Sequence, residues 1–146
     1  VIMNKEEIKS YLKHRDPMLL VDSVDLVTEQ DKEGKDVLVA YGTYTVRGDE
    51  FFLQGHFPDY PVVPGVILCE MMAQSCALLL GEEIKSKLTF YTGIDNVRFK
   101  GQVRPGDVVK TKSCIVDRRQ SLIFVKAQAS VDGKVCCKGD LNFALI

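Results

Sequence analysis

The stretch from Pro64 to Gly81 constrains this chain more than any other. Between Gly65 and Gly81 nearly every side chain is apolar, on every face a helix could present, and Glu70 is the only charge. A helix that is apolar all round cannot lie on a surface; it belongs inside the protein, wrapped by other elements. Pro64 suits a first helical turn and Gly81 a C-terminal cap. At about 1.5 Å per residue the expected helix runs roughly 25 Å, enough to cross a small domain.

What wraps it must come from the flanks, and these are β-rich. Asn4 and Glu7 form a capping box for a short first helix with Ile8, Tyr11 and Leu12 on one face, ended by the run from Lys13 to Pro17. Strands are expected over Met18 to Val27 and Val37 to Val46, around a charged turn holding Gly34. After the helix come Leu88 to Ile94 running on into Val97 to Lys100, then Val108 to Val116, Leu122 to Val131 and Val135 to Leu145. Arg104-Pro105-Gly106-Asp107 suits a type II bend and Asp132-Gly133 a tight hairpin. One long antiparallel sheet curling around one buried helix, an α+β arrangement in a single domain over residues 1–146, is what these pieces require.

Composition narrows the function classes. A net charge of −1 without a basic block gives no case for nucleic-acid binding. The opening residues lack a signal-peptide pattern, and the apolar run contains Glu70 and Gln74, so no membrane span is expected. The five cysteines show no metal-ligand spacing and are expected as free, buried thiols in a reducing cytosol. No nucleophile elbow, dinucleotide fingerprint or phosphate loop is present.

Two ionisable groups remain. A carboxylate in an apolar helix must neutralise, find a partner or do chemistry, so Glu70 is either a structural carboxylate paired to a basic side chain or a functional acid. Gln74, one turn on, can orient it. His56 is flanked by Gly55 and by Phe57-Pro58, which bend the backbone around one side chain; alone, it is equally a loop histidine satisfied by main-chain contacts. His14, beside Arg15, is expected to be a structural or surface group. Cys69 is expected to be inert because apolar surroundings raise a thiol's pKa. Between His56 and Glu70 lies the helix N-terminus near Gly65, whose free N–H groups form an anion site that a glycine lets a ligand approach closely. A base, an acid and an oxyanion site in one stretch suit removal of a proton alpha to a carbonyl, with protonation of a leaving group.

The run Gly55-His56-Phe57-Pro58-x-x-Pro61-x-x-Pro64-Gly65-Val66, followed by Glu70-x-Met72-Ala73-Gln74, closely resembles the (3R)-hydroxyacyl-acyl-carrier-protein dehydratases of type II fatty acid synthesis, the FabZ type. His14-Arg15-x-Pro17-x-Leu19-Leu20-Val21-Asp22, Gly93-Ile94-Asp95-x-Val97-Arg98-Phe99-Lys100 and Val131-Asp132-Gly133-Lys134-Val135 carry the resemblance over nearly the whole chain. It implies a hotdog fold and a cytoplasmic homodimer, assembled as a trimer of dimers, whose two sites each pair a histidine of one subunit with a glutamate of the other. His56 and Glu70 are then the catalytic pair, and Gly65, Val66, Phe57, Gln74 and Phe90 contact the substrate. No metal and no cofactor is implied, the substrate riding on the phosphopantetheine arm of acyl carrier protein. Arg98, Lys100 and Arg104 are the expected docking spot for that acidic partner.

Three departures stand out. The asparagine usual in this family before the glutamate of Gly48-Asp49-Glu50-Phe51-Phe52 is missing, Asp59 stands where glycine is common, and Phe90 stands where a tyrosine is usual, with Tyr91 beside it. Glu70 rather than aspartate favours the plain dehydratase branch over the isomerising one. A dehydratase that also moves the double bond, a hotdog thioesterase and a non-catalytic acyl-binding protein remain as alternatives.

Overall fold

The computed structural model describes residues 2–146; Val1, with which the reading of the opening segment begins, lies outside the described residues. The elements in order are β1 (Ile2–Met3), α1 (Lys5–Tyr11), β2 (Ser23–Gln30), β3 (Asp36–Thr45), a 3-10 turn (Phe51–Leu53), α2 (Gly65–Ala77), a 3-10 segment (Leu78–Ser86), β4 (Thr89–Phe99), β5 (Val108–Arg119), β6 (Leu122–Val131) and β7 (Lys134–Leu145). The strands form one antiparallel sheet in the order β1-β2-β3-β5-β6-β7-β4, wrapped around α2 in the hotdog arrangement.

The local signals are where the sequence places them. Asn4 Oδ1 accepts from the Glu7 N–H (2.9 Å) while Glu7 Oε1 accepts from the Asn4 N–H (3.3 Å), completing the capping box. The Asp107 N–H donates to the Arg104 carbonyl at 3.0 Å with Gly106 at φ 93°, the type II bend. All five cysteines are free.

Two elements differ from expectation. The first long strand starts at Ser23, not Met18: Leu19, Leu20 and Val21 are buried, but the Leu20 N–H donates to Gln74 Oε1 (2.8 Å) instead of to a neighbouring strand. The central helix ends at Ala77, and its 13 residues span about 20 Å. Pro64 is its N-cap, and Gly81 (φ 61°, ψ −137°) interrupts the 3-10 segment that follows. Nor is the helix buried on all faces. Leu68, Met71 and Met72 lie fully in the core, each contributing roughly 1.5–3 kcal/mol, whereas Val66 is 71% exposed and Ile67 and Glu70 are half-buried.

The apolar run Gly65–Ser86, long and apolar enough by composition to cross a membrane, packs instead against β3, β5, β6 and β7. Its closest approach to the sheet depends on Gly42 of β3. A Cβ there would stand 2.2 Å from Ser75 Oγ and 2.6 Å from Thr111 Oγ1, so only glycine lets the helix settle at this depth.

Candidate active site

The histidine loop is built from the end of β3 onward. Glu50 is buried, and its carboxylate accepts from the Tyr44 hydroxyl (2.8 Å), the Arg47 N–H (2.9 Å) and the Gly48 N–H (2.8 Å). These bonds tie off the turn without the family's usual asparagine. Burial works to raise the Glu50 pKa, but the two backbone donors and the Tyr44 hydroxyl outweigh it and hold the carboxyl below its ordinary range. The Tyr44 phenol is pushed up by its own burial and by its bond to Glu50.

Stability should therefore depend on Glu50. Because the folded carboxyl is held low, its stabilisation is complete above the ordinary glutamate range, about pH 4.3, and is lost as pH falls through the folded value. Glu50→Gln removes an acceptor from at least one part-buried N–H and should cost about 1 kcal/mol in urea unfolding near neutral pH. The gap between the two proteins should shrink as the pH is lowered.

From this turn the 3-10 segment leads to His56. Its N–H donates to the Leu53 carbonyl (3.1 Å), its carbonyl accepts from the Val62 N–H (2.9 Å), and the His56–Phe57 peptide is cis. Phe57 and Tyr60 exchange backbone hydrogen bonds, and the Tyr60 hydroxyl donates to Gln102 Oε1 (2.7 Å). The imidazole stacks on the Phe57 ring (centroids 4.4 Å apart), and its Nδ1 lies 3.0 Å from the Val62 carbonyl. A carbonyl only accepts, so Nδ1 carries the hydrogen and Nε2 presents a free lone pair.

Glu70 sits on the second turn of α2. Its Oε2 accepts from Gln74 Nε2 (2.9 Å), the partnership expected from the spacing. Gln74, fully buried, also donates to the Met18 carbonyl (2.7 Å) and so joins α2 to the segment before β2. His14, expected to be a structural or surface group, places Nε2 3.6 Å from the same Oε2. With Ala73, Thr89, Tyr91 and Phe143, these three residues enclose a cavity of about 40 Å³.

Tyr91 is noted in the sequence only as the neighbour of Phe90. It reaches into this cavity and its hydroxyl donates to the Cys69 carbonyl (3.0 Å). Burial, and then the charge of Glu70, push its phenol upward, so it stays a neutral donor. Phe90, named from the sequence, lines the adjoining hollow with Tyr11, His14 and Leu88 instead. Alternation along β4 would have identified one of the two, but not which faces the helix.

At the helix N-terminus Gly65 has a different neighbour from the one anticipated. A Cβ there would meet the Phe99 ring at 2.6 Å, so the glycine makes room for that aromatic. Its N–H, in the first turn, has no intrahelical acceptor. Phe57 and Val66 are both exposed. Arg98 and Lys100 are exposed at the end of β4, while Arg104 lies over the Tyr60 ring at 3.8 Å.

Among the described residues no hydrogen bond or ion pair joins His56 to Glu70 within the chain, and no cluster of side chains is suited to a metal ion. Cys69 does not behave as an isolated apolar thiol. The Cys137 thiol facing it favours its thiolate over the opposing effect of burial, whereas Cys137 itself is pushed up.

Known proteins resemble this chain in sequence and in fold. Residues 12–140 match the FabA-like domain family. The chain is 49% identical over 146 residues to the 3-hydroxyacyl-(acyl-carrier-protein) dehydratase FabZ of Clostridium perfringens, covering 99% of each protein. It is 45% identical over 147 residues to the enzyme of the same name from Lactococcus lactis subsp. cremoris, covering 99% of this chain and 96% of the other. In structure it resembles the dehydratase heterocomplex ApeI:P from Xenorhabdus doucetiae (TM-score 0.74, 22% identity, 95% of this chain and 90% of that one). A putative thioesterase, yhdA of Lactococcus lactis, shares the fold at 12% identity (TM-score 0.66, 91% and 98% covered). The near-full-length sequence match, together with the sheet-wrapped helix, shows that the chain belongs to the FabA-like family, among the FabZ-type 3-hydroxyacyl-(acyl-carrier-protein) dehydratases.

Proposed function

We propose that this protein removes water from (3R)-hydroxyacyl thioesters of acyl carrier protein, giving trans-2-enoyl products in fatty acid biosynthesis. The observation that carries the reading is the orientation of His56: Nδ1 is committed to the Val62 carbonyl, so Nε2 is the one basic atom the ring offers. Nε2 takes a proton from C2, and the electron pair moves towards the thioester carbonyl. The Gly65 N–H and the α2 dipole stabilise the oxygen, one such donor being worth about 3 kcal/mol. Glu70 gives a proton to the C3 hydroxyl, which leaves as water while the C2–C3 double bond forms. The proton on His56 then returns to Glu70 through solvent. Every atom is accounted for by substrate and protein, and no metal or cofactor enters the balance.

His56 and Glu70 have different partners within one chain among the described residues, and in this reading they belong to a site shared between two subunits. β4, 11 residues long, is the open edge of the sheet and carries exposed Phe90 (49%), Ile94 (46%) and Phe99 (55%) beside Val66 (71%) and Phe57 (54%). A long apolar edge favours pairing with a second copy, which continues the sheet across a two-fold axis. Three such dimers make the hexamer. Arg98 and Lys100 offer the acidic carrier protein a docking point in the cytoplasm, with Arg104 behind them on Tyr60.

The test is direct. Purified protein incubated with a 3-hydroxyacyl carrier-protein thioester should form the 2-enoyl thioester and release no free thiol. Thiol release without enoyl product would point to a thioesterase, a 3-enoyl product to an isomerising enzyme, and no turnover to an acyl-binding protein.

A further inference from the structure

Glu70 has a neighbour to which neither the reaction scheme nor the motif gives a part. We propose that His14 is a positioning residue for Glu70, presenting an N–H to carboxylate oxygen Oε2 so that Oε1 is the atom that carries the proton to the leaving hydroxyl. The inference rests on the dehydratase reading above.

Three observations support it. First, the segment that bears His14 is fastened at several points. Arg15 donates to the carbonyls of Lys9 (3.1 Å), Leu12 (2.8 Å) and His14 itself (2.7 Å), and the Met18 N–H closes a turn on the Arg15 carbonyl (2.8 Å). Gln74 then holds Met18 and Leu20 from the helix side while it also donates to Glu70. One side chain of α2 therefore sets the register of both the carboxylate and the loop that faces it.

Second, the one ion-pair contact of the His14 ring among the described residues is to Glu70. Nδ1 is buried without a hydrogen-bond partner, and Nε2 faces Glu70 Oε2 at 3.6 Å. Nδ1 has no acceptor to which a hydrogen could be given, whereas Nε2 points at the carboxylate, so a hydrogen on Nε2 fits the site. At 3.6 Å the contact is looser than a hydrogen bond. It can tighten as negative charge develops on the carboxylate, that is, as Glu70 gives up its proton. A donor that strengthens only then favours the transition state over the bound substrate.

Third, apart from His14 and Glu70 the walls of the cavity hold no charged group. Tyr91 spends its hydroxyl on the Cys69 carbonyl, and the remaining walls of the cavity, Ala73, Thr89 and Phe143, carry no charge. Both donors, Gln74 and His14, converge on Oε2, leaving Oε1 for the substrate.

His14→Phe keeps the ring's bulk and discards the donor; His14→Gln keeps an N–H and discards titration. In the dehydration assay His14→Phe should lose about 10-fold in kcat with KM changed less than about twofold, and His14→Gln should recover to within about threefold of wild type. Melting temperatures of the purified variants separate misfolding from lost chemistry, and His14→Ala replaces His14→Phe if the latter does not fold. The inference is overturned if the donor-free variant keeps wild-type kcat, if Phe and Gln variants are equally impaired at equal stability, or if the loss appears in KM. Wild-type protein that dehydrates, is inactivated by Glu70→Gln and is indifferent to His14→Phe would remove His14's part alone. Wild-type protein that does not dehydrate would remove the functional reading and this inference together.

Discussion

Replacing His56 with alanine is expected to lower kcat for dehydration by about a hundred- to ten-thousandfold, the range of a positioned general base. KM should move little, because the imidazole acts on the C2 proton and contributes little to holding the acyl chain. The fold should survive: the hydrogen bonds that shape the loop run through the main chain of His56, to Leu53 and Val62, and remain available to alanine. What disappears is the side-chain bond to the Val62 carbonyl and the stacking on Phe57. Equal thermal stability with kcat lowered by that factor would be the expected pair of results. A variant that keeps a tenth or more of wild-type kcat would rule His56 out as the base.

The second large effect comes from mixing inactive proteins. His56→Ala and Glu70→Gln should each be nearly dead alone, yet activity should return when the two are unfolded together and refolded as mixed dimers. If each site takes its histidine from one subunit and its glutamate from the other, a mixed dimer has one doubly altered site and one intact site. Random pairing then restores about a quarter of wild-type activity. Sites complete within one chain would give no recovery. The structure supports the shared arrangement through what His56 and Glu70 touch: His56 meets Val62 and Phe57, and Glu70 meets Gln74 and His14. The open edge at β4 provides the surface through which the second subunit would complete the site.

Much of this was legible in the residues. Asn4 with Glu7, Asp132-Gly133 and Arg104-Pro105-Gly106-Asp107 each encode a hydrogen bond or turn that closes within a few residues, and the structure contains each of them. Gln74 was named as the partner of Glu70 because four residues on a helix bring two side chains to one face. His56 and Glu70 stood out because a histidine in a proline-bounded loop and a carboxylate in an apolar helix both demand an explanation.

What residue type and spacing leave hidden shares one feature: a partner distant in sequence. Met18 to Asp22 has the composition of a strand, but Gln74, more than fifty residues away, takes the Leu20 N–H and the Met18 carbonyl that a ladder would have used. His14 looks like a surface residue beside an arginine until the loop is folded back on α2 and Nε2 comes to rest 3.6 Å from Glu70. Phe90 and Tyr91 are adjacent aromatics, and only the pairing of β4 with β7 decides that Tyr91 faces the helix and packs, ring tilted, against Phe143.

The sequence by itself determined the family, the buried helix with its acid, the histidine loop and the local turns, because each is written in residue type and short spacing. The tertiary structure alone decided where α2 stops, how close Gly42 lets it approach the sheet, and which side chains surround Glu70. Those outcomes depend on how the sheet wraps and in what register. Contacts between residues far apart in the chain leave no periodic trace in either partner.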